Sequence, residues 1–357
     1  MKKLFFIAAI ASAALVSCTK NELAPIVDEQ QEITFASPVV GVPTKGEALG
    51  TTFPDDRDFK VYAEWFEGDY TTAAEGSTYM DGVKCEHNGT KNCWSPESAY
   101  YWPSGSKAGK LTFAAFSPSD APGSYDFLTG KGITFTDYEV TRNVAEQVDL
   151  LFTEKAYNKT KNDMDVDHNA AHIYEGIDLC FRHALCDIDF MAKIKKVYTN
   201  TTIKVKKIDL LNVATTGTFN QGLADTDGAM TNMNARLWTA DDAYATYTAY
   251  EGESDALTTT AVSLATGGDL MLIPQTMGNA STDGTIKVEV TYEITCEDTK
   301  IVTSQQIYLN TTGLGYPTEW FCGKRYVYTI VIGLEEIYFD PAVYEWDTTT
   351  PNTDLAI

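Results

Sequence analysis

Basic residues are scarce in this chain. Among its 357 residues, lysine and arginine number 27 against 50 aspartates and glutamates, which gives a formal charge of −23 at pH 7. Such a charge repels nucleic acid and anionic lipid, because both carry dense negative charge themselves. The composition therefore argues against those two classes of partner. It indicates no particular ligand, since acidic surfaces favour solubility in many exported proteins.

The chain also lacks the short motifs that mark common enzymes. It contains no Gly-x-Ser-x-Gly nucleophile elbow, no phosphate-binding loop and no CxxC pair. The alternating aspartates from Asp163 to Asp167 lack the glycine that a calcium loop requires. His168 and His172 have the spacing of a zinc site on a helix, but Asn169 stands where zinc proteases carry glutamate. We therefore expect no enzymatic activity, no metal and no cofactor.

The apolar run near the amino terminus is too short to span a bilayer. It extends over thirteen residues from Leu4 to Val16 and follows two lysines, whereas a transmembrane helix needs about 20 apolar residues. This arrangement is typical of a removable export signal. The run ends in Leu-Val-Ser-Cys at Cys18, which resembles the bacterial lipobox. We therefore expect residues 1–17 to be removed and Cys18 to carry several acyl chains, which together anchor a protein firmly.

Six cysteines remain after Cys18. Cys85 and Cys93 could close a short loop by a disulfide in an oxidising envelope, whereas Cys180 and Cys186 lie in apolar sequence and could equally be packed thiols. Spacing alone does not fix connectivity. The Cys85–Cys93 disulfide therefore stays one of two open possibilities.

Alternation of apolar and polar residues with period two dominates the mature sequence. Every second residue between Ile286 and Ile294 is apolar, as a half-buried strand requires. The same reasoning predicts further strands at Phe59–Trp65, Lys110–Phe116, Ile133–Val140, Ile203–Leu211, Leu270–Ile273, Ile301–Leu309 and Tyr326–Ile332. Only residues 158–174 favour a short helix. This pattern predicts an all-β chain with two antiparallel β-sandwich domains in tandem.

Polar stretches suggest how the chain is divided. Residues 18–31 are predicted to form a flexible tether between the lipid and the fold. A linker at 159–169 would separate an N-terminal domain over 32–172 from a C-terminal domain over 173–357. Just beyond it, the apolar residues of Ile177–Phe190 change from odd to even positions. We expect a β-bulge near 184–186 that keeps both halves on one core.

Two segments at opposite ends of the mature chain resemble each other. Glu32–Val40 and Glu336–Tyr344 share Glu, Ile, Phe and Val at an offset of 304 positions. Their apolar residues alternate, and these are Ile33, Phe35 and Val39 in the first segment and Ile337, Phe339 and Val343 in the second. A groove that holds the first segment as a strand could accept the second, because side-chain pockets give specificity and backbone hydrogen bonds give affinity. Chance likeness between two edge strands is the alternative.

Exchange of the two segments would require a cut that releases the first. Lys45-Gly46 is the first basic site after it in turn-like sequence, and Arg57 is a second candidate.

Aromatic residues cluster near position 100. Trp94, Tyr100, Tyr101 and Trp102 could stack on sugars, although packing in the core and at sheet edges explains them as well. His183 lies on the apolar face of its predicted strand and is expected to be a satisfied core histidine.

Four blocks in sequence after the lipobox resemble the fimbrillin family, the lipoprotein pilus subunits of Bacteroidia. They begin with Tyr101-Trp102-Pro103 leading into Leu111–Pro118, and continue with Phe181–Phe190. Leu270–Gln275 follows, and Gly323–Ile332 completes the order.

The resemblance implies two transthyretin-like β-sandwiches and export as a lipid-anchored precursor at the outer membrane. It further implies proteolytic loss of the first strand and polymerisation with other pilus subunits into an adhesive surface fimbrium. These steps map onto Cys18, a cut at Lys45, a groove vacated by Ile33–Val39 and a donor at Ile337–Val343. Lysine stands where the best-known members have arginine, so an arginine-specific protease would not serve. The alternative is a monomeric surface lipoprotein that binds glycans or other host or bacterial surface ligands.

Overall fold

The computed structural model describes the chain from residue 31 to residue 346. The gaps lie at 37, 45–46, 72–74, 92, 106–107, 128–131, 165–175, 227–228, 231–236, 265–267, 269, 279–283, 310–316 and 335–336. The export signal, Cys18 and nearly all of the tether lie outside the described residues. In the described portion, no helix has both the length and the hydrophobicity that crossing a bilayer requires.

The chain is all-β, as its alternation predicts. The strands before residue 175 are β1 (Val39–Thr44), β2 (Glu47–Thr52), β3 (Phe59–Phe66), β4 (Ser77–Asn88), β5 (Cys93–Pro96), β6 (Lys110–Ser117), β7 (Gly123–Asp126), β8 (Gly132–Glu139), β9 (Leu151–Thr153) and β10 (Ala156–Lys159). The later strands are β11 (Cys180–His183), β12 (Cys186–Ile194), β13 (Thr201–Ala214), β14 (Thr216–Asn220), β15 (Asp225–Thr226), β16 (Ala229–Met230), β17 (Trp238–Ala240), β18 (Tyr244–Glu251), β19 (Val262–Ser263), β20 (Leu270–Leu272), β21 (Lys287–Cys296), β22 (Thr299–Tyr308), β23 (Lys324–Ile332) and β24 (Ile337–Glu345).

Helical structure is confined to short 3-10 turns among the described residues. They are Val144–Glu146, Lys161–Asp163 and Gln221–Ala224. Residues 161–163 fall within the stretch predicted to favour a short helix, and Thr160 caps this turn by accepting a hydrogen bond from the Asn162 backbone N–H. Most of the rest of that stretch, including most of the residues considered and rejected as calcium or zinc ligands, lies outside the described residues.

The strands form two main bodies. The first is one sheet with the order β2-β1-β11-β9-β6-β3-β4-β5, and β10 pairs with β6 at its side. The second contains two sheets, β19-β12-β23-β24 and β18-β13-β21-β22. Apolar residues of both latter sheets, such as Ile188, Tyr328, Val205 and Val290, are buried in a common core. A smaller sheet, β17-β14-β8-β7, adds Ile133 and Phe219 to that same core.

The change from one body to the other occurs at Ala184–Leu185. Phe181 in β11 belongs to the first core, whereas Leu185 and Ile188 belong to the second. The expectation of a bulge that keeps both halves on one core is therefore wrong. The apolar residues change phase because β11 and β12 are different strands in different sheets. The linker predicted at 159–169 lies earlier in the chain, and β8, which precedes it, pairs with β14 beyond it.

Trp238 stabilises the crossing, which is the point at Ala184–Leu185 where the chain passes from the first body to the second. Its indole N–H donates a hydrogen bond of 2.6 Å to the Ala184 carbonyl, in a fully buried position. Its ring packs edge-on against Phe219 and Tyr138, with centroid distances of 5.4 and 5.8 Å. The bond satisfies a backbone carbonyl that the turn between β11 and β12 would otherwise bury without a donor.

We expect Trp238→Phe to destabilise the fold by about 1 to 3 kcal/mol, because the Ala184 carbonyl loses its donor inside the core. Urea unfolding followed by fluorescence or circular dichroism measures the change. Tyr244→Phe is the matched control, since it removes an exposed bond to Asp242. Equal unfolding midpoints for the two variants would contradict a structural role for the indole.

Candidate functional site

The segment Gln31–Ala36 occupies a central position in the first body. On one side, the Ile33 N–H donates to the Tyr100 carbonyl at 2.7 Å, and Phe35 exchanges two bonds of 2.9 Å with Trp94. On the other side, the Ala36 N–H donates to the Ile177 carbonyl at 3.0 Å and Thr34 accepts from the Ile177 N–H at 2.9 Å. The segment is therefore hydrogen-bonded along both of its edges.

This position closes the first sheet on itself. Trp94 lies in β5, the last strand of the sheet order, while Ile177 leads directly into β11. Beyond the segment, β1 continues in the same parallel direction, with Val39 opposite Cys180 and Val40 opposite Phe181. A closed arrangement removes exposed strand edges. Departure of the segment would open a groove with unpaired backbone groups on both walls.

The side chains of the segment reinforce its seat. Ile33 and Phe35 are completely buried in the first core. The Phe35 ring makes edge contacts with Phe59 and Phe113 at centroid distances of 5.6 Å each. Val39 has its backbone in β1, and its side chain lies outside the described residues. Burying one such apolar side chain contributes about 1.5 to 3 kcal/mol to stability. Two of the three predicted residues, Ile33 and Phe35, therefore help to hold the segment in its groove.

Gly176 fits the wall of this groove. A Cβ at residue 176 would stand 2.5 Å from the Phe35 carbonyl carbon and 2.6 Å from the Ala36 nitrogen. The backbone φ of +149° is also one that residues with a side chain rarely adopt. Only glycine lets the segment approach this closely. The sequence offered no more signal for this role than a glycine placed before an apolar run.

The predicted cut site lies between two paired strands. β1 and β2 form an antiparallel hairpin in which Thr44 is opposite Glu47. Lys45 and Gly46 stand between these two residues in sequence and lie outside the described residues. The alternative site at Arg57 is held in place, since its guanidinium donates to the Asp149 carbonyl at 2.9 Å.

The predicted donor forms the edge strand β24. It pairs antiparallel with β23 along its whole length, from Ile337 opposite Ile332 to Glu345 opposite Lys324. Ile337 and Val343 are buried, and the side chain of Phe339 lies outside the described residues. Trp346 then stacks on His183 at 4.2 Å, nearly parallel to it. The two similar segments thus occupy different positions, one central in the first sheet and one at an edge in the second body.

Comparison with known proteins identifies the family. A family model described as fimbrillin-like matches residues 47–346. The chain belongs to the fimbrillin-like family. A fimbrial protein from Bacteroides vulgatus has a similar solved structure, at 15% identity and a TM-score of 0.59 over 88% of this chain and 99% of that one.

More distant neighbours include a putative cell adhesion protein from Bacteroides uniformis, at 13% identity and a TM-score of 0.48 over 90% of this chain and 99% of that one. A fimbrilin from Porphyromonas gingivalis follows at 10% identity and a TM-score of 0.42, over 90% and 99%. The likeness to the Bacteroides vulgatus protein supports the common fold. Among curated protein sequences, none matches this chain.

The structure of this fimbrillin-like chain has Cys85 and Cys93, the pair considered for a disulfide, as free thiols. Both are buried thiols, with Cys85 opposite Pro96 and Cys93 opposite Asn88. The register thus offsets them by three positions along the hairpin, whereas a disulfide needs Cα atoms within about 7 Å. Burial also raises the pKa of the Cys85 thiol well above its ordinary value. The thiolate needed for oxidation is therefore disfavoured.

The aromatic cluster of this fimbrillin-like chain divides between core and surface. Trp94 and Trp102 are buried, and the Trp102 indole donates to the Met164 sulfur at 3.0 Å. Tyr100 and Tyr101 border an open groove of about 710 Å³ that Trp65 and Tyr79 also line.

No group of three metal-ligating side chains occurs in the part of the chain that the structure describes.

We expect Gly176→Ala to loosen the segment Gln31–Ala36, because the added Cβ overlaps the Phe35–Ala36 backbone. The strain should amount to about 1 to 3 kcal/mol. Hydrogen exchange followed by mass spectrometry should show faster exchange for the amides of Ile33 and Phe35. Gly89→Ala is the control, since a Cβ there meets nothing within 4 Å. Amide exchange at the wild-type rate in Gly176→Ala would contradict this prediction, because the groove wall would then accommodate the added Cβ without loosening the segment.

Proposed function

We propose that this chain is the precursor of a pilus subunit that polymerises by strand exchange. Membership of the fimbrillin-like family supports a role as a pilus subunit at the cell surface. The observation that carries the finer proposal is the segment Gln31–Ala36, which fills a two-sided groove and is followed by the paired strands β1 and β2, between which residues 45–46 stand in sequence. Export, lipid attachment at Cys18 and anchoring in the outer membrane are part of the same proposal. The role is structural and adhesive, with no enzymatic activity.

The covalent connection at the hairpin explains why an uncut precursor would stay monomeric. A tethered strand rebinds its groove at an effective concentration in the millimolar range, which few free competitors reach. A cut at Lys45 ends this advantage, because a segment that dissociates then diffuses away. The vacated groove exposes the apolar pocket of Ile33 and Phe35 together with backbone groups of Trp94 and Ile177. Such a groove favours the entry of another strand.

The position of β24 suits it as that incoming strand. Within the described residues it pairs on one side only, with β23. In the groove it would pair on both sides, so transfer replaces one hydrogen-bonded ladder with two. It is nine residues long, and Ile337, Phe339 and Val343 have the same spacing in sequence as Ile33, Phe35 and Val39. The release of β24 from its own sheet, where it pairs with β23 alone, opposes this gain.

A reversible lock tests departure of the first segment. Glu32 and Tyr101 are backbone neighbours in an antiparallel bridge, and both are accessible. In the Glu32→Cys, Tyr101→Cys variant, oxidation should join the segment to the groove wall. Limited trypsin digestion should then yield SDS-resistant ladders from the reduced form and none from the oxidised form, with Lys45→Ala as the uncut control. Ladders from the oxidised form would refute displacement of this segment.

A second lock tests the donor. Val327 and Ala342 are opposite each other in β23 and β24. Oxidised Val327→Cys, Ala342→Cys should fail to donate, yet a cut, locked molecule should still accept a strand from wild type. The expected product in a mixture is therefore a ladder that ends at each locked subunit. Full polymerisation of the locked variant alone would show that another segment donates.

A saccharide-binding surface lipoprotein is the second candidate. The groove beside Tyr101 favours it, because Trp65, Tyr79, Tyr100 and Tyr101 present rings to an open cavity of about 710 Å³. Aromatic faces stack on the apolar faces of sugars. Under this function, the wild type binds members of a glycan array, Tyr101→Ala loses that binding, and trypsin treatment leaves a monomer. Ladder formation without any glycan binding would exclude it.

A further inference from the structure

Exposed apolar side chains concentrate at one end of the second body. Among the described residues, ten large hydrophobic side chains are exposed, and five of them lie at this end. They are Val197 at 78% exposure, Ile301 at 57%, Val302 at 60%, Leu334 at 51% and Tyr338 at 40%. Scattered single residues of this kind are normal on protein surfaces, whereas a cluster marks an interaction site. We call this end the distal pole.

Backbone contacts bring the members of the distal pole together. The Lys195 N–H donates to the Ile332 carbonyl at 2.9 Å, and the Leu334 N–H donates to the Tyr198 hydroxyl at 3.2 Å. The connection from β12 to β13, residues 195–200, thus lies against the connection from β23 to β24. The Glu297 N–H donates to the Asn200 carbonyl at 3.1 Å, which adds the start of β22. β22 also contacts β24. Thr299 at the start of β22 is opposite Cys296, which is opposite Thr201 at the start of β13, so β22 begins at this same end of its sheet.

The distal pole is the end of the second body that lies away from the first. β12 begins at Cys186, directly after the crossing, and ends at Ile194. A strand of nine residues spans roughly 30 Å. β23 runs parallel to β12, with Ile194 opposite Ile332, and therefore ends at the same place. β24 runs back from there to Glu345, and the next residue, Trp346, stacks on His183 beside the crossing.

The distal pole is also where a released β24 would stay attached. β23 ends at Ile332 and β24 begins at Ile337, so a donor strand that leaves its sheet remains tethered at this corner. Its receiver must then stand next to the distal pole. We propose that the distal pole is the surface on which a second copy of this chain seats its first body, an inference that rests on the proposed strand exchange.

The charges at the distal pole fit that occupant. Lys193, Lys195 and Lys196 lie within four positions in a chain with a net charge of −23, and they outnumber the exposed Glu297 and Asp298 at the same end. Lys195 stands over the Tyr338 ring at 5.9 Å, among the exposed apolar residues. On the β4–β5 side of the groove of the first body, Asp55 and Asp56 are exposed, and Asp55 lies 3.8 Å from His87, which is opposite Trp94. Glu86 is also exposed there and pairs with Lys84. Basic residues on one face and acidic residues on the other steer association and set its orientation.

Substitutions at the distal pole test this surface. Val197→Asp and Val302→Asp place charge on exposed positions that carry little of the fold, so their melting temperatures should equal that of wild type. Each should slow ladder growth after trypsin treatment by about tenfold or more. Leu223→Asp is the matched control, since Leu223 is 55% exposed and is not part of the distal pole. It should polymerise at the wild-type rate.

A labelled peptide with the sequence Ile337–Glu345 separates this inference from the proposed function. Cut wild type, Val197→Asp and Val302→Asp should bind it equally, because the groove is untouched. Equal peptide binding with ladder growth within about twofold of wild type would overturn the role of the distal pole and leave strand exchange standing. Failure of the cut wild type to bind the peptide and to form ladders would overturn strand exchange, and this inference with it.

Discussion

A short stretch of backbone, Gln31–Ala36, holds the first body closed because both of its edges are hydrogen-bonded. Its neighbours come from distant parts of the chain, Trp94 and Tyr100 on one side and Ile177 on the other. Each buried backbone group on these walls needs a partner. Whatever removes the segment must therefore supply another strand or leave the sheet open along two edges. This requirement connects the fold to assembly, since the natural substitute for a missing strand is a strand from another chain.

The same segment also supports the aromatic surface beside it. Besides Ile33, which bonds to Tyr100, Gln31 accepts a hydrogen bond of 3.0 Å from the Trp102 N–H. The loop that carries Tyr100 and Tyr101 is thus fixed by the strand that processing would remove. The Glu32 carboxylate pairs in addition with Lys91, on the turn between β4 and β5. Departure of the segment would break all of these contacts, so the loop beside Tyr101 depends on the same segment that the proposed exchange removes.

Local pattern predicted much of this fold because strand alternation is encoded in neighbouring residues. The face of β21 that holds Val288 and Val290 is buried as predicted, and Ile33 and Phe35 point into the core as their spacing requires. Pairing between distant segments leaves no comparable trace. Phe35 pairs with Trp94 and Ile177, both of which are far from it in the sequence. The requirement for glycine at position 176 likewise arises only because the Phe35–Ala36 backbone passes beside it. The phase change near Ala184 was visible in the sequence. Whether the residues on its two sides pack into one core or two depends on which strands β11 and β12 pair with, and those partners are distant in sequence.

The two similar segments differ in what holds them, and this difference gives the exchange a direction. Phe35 is enclosed by Phe59 and Phe113 in a sheet closed on both sides. β24 lies at an edge, and its last contact is the stack of Trp346 on His183, next to the crossing between the bodies. An edge strand opens more readily than a central one, since it gives up one ladder instead of two. Spontaneous departure is therefore easier for β24, whereas the groove of the first segment is the deeper well. In the proposed exchange, a cut at Lys45 frees the first segment from the rest of the chain, so that it is lost once it dissociates from its groove. The edge strand β24 of a neighbour then gains a second hydrogen-bonded ladder by entering that groove.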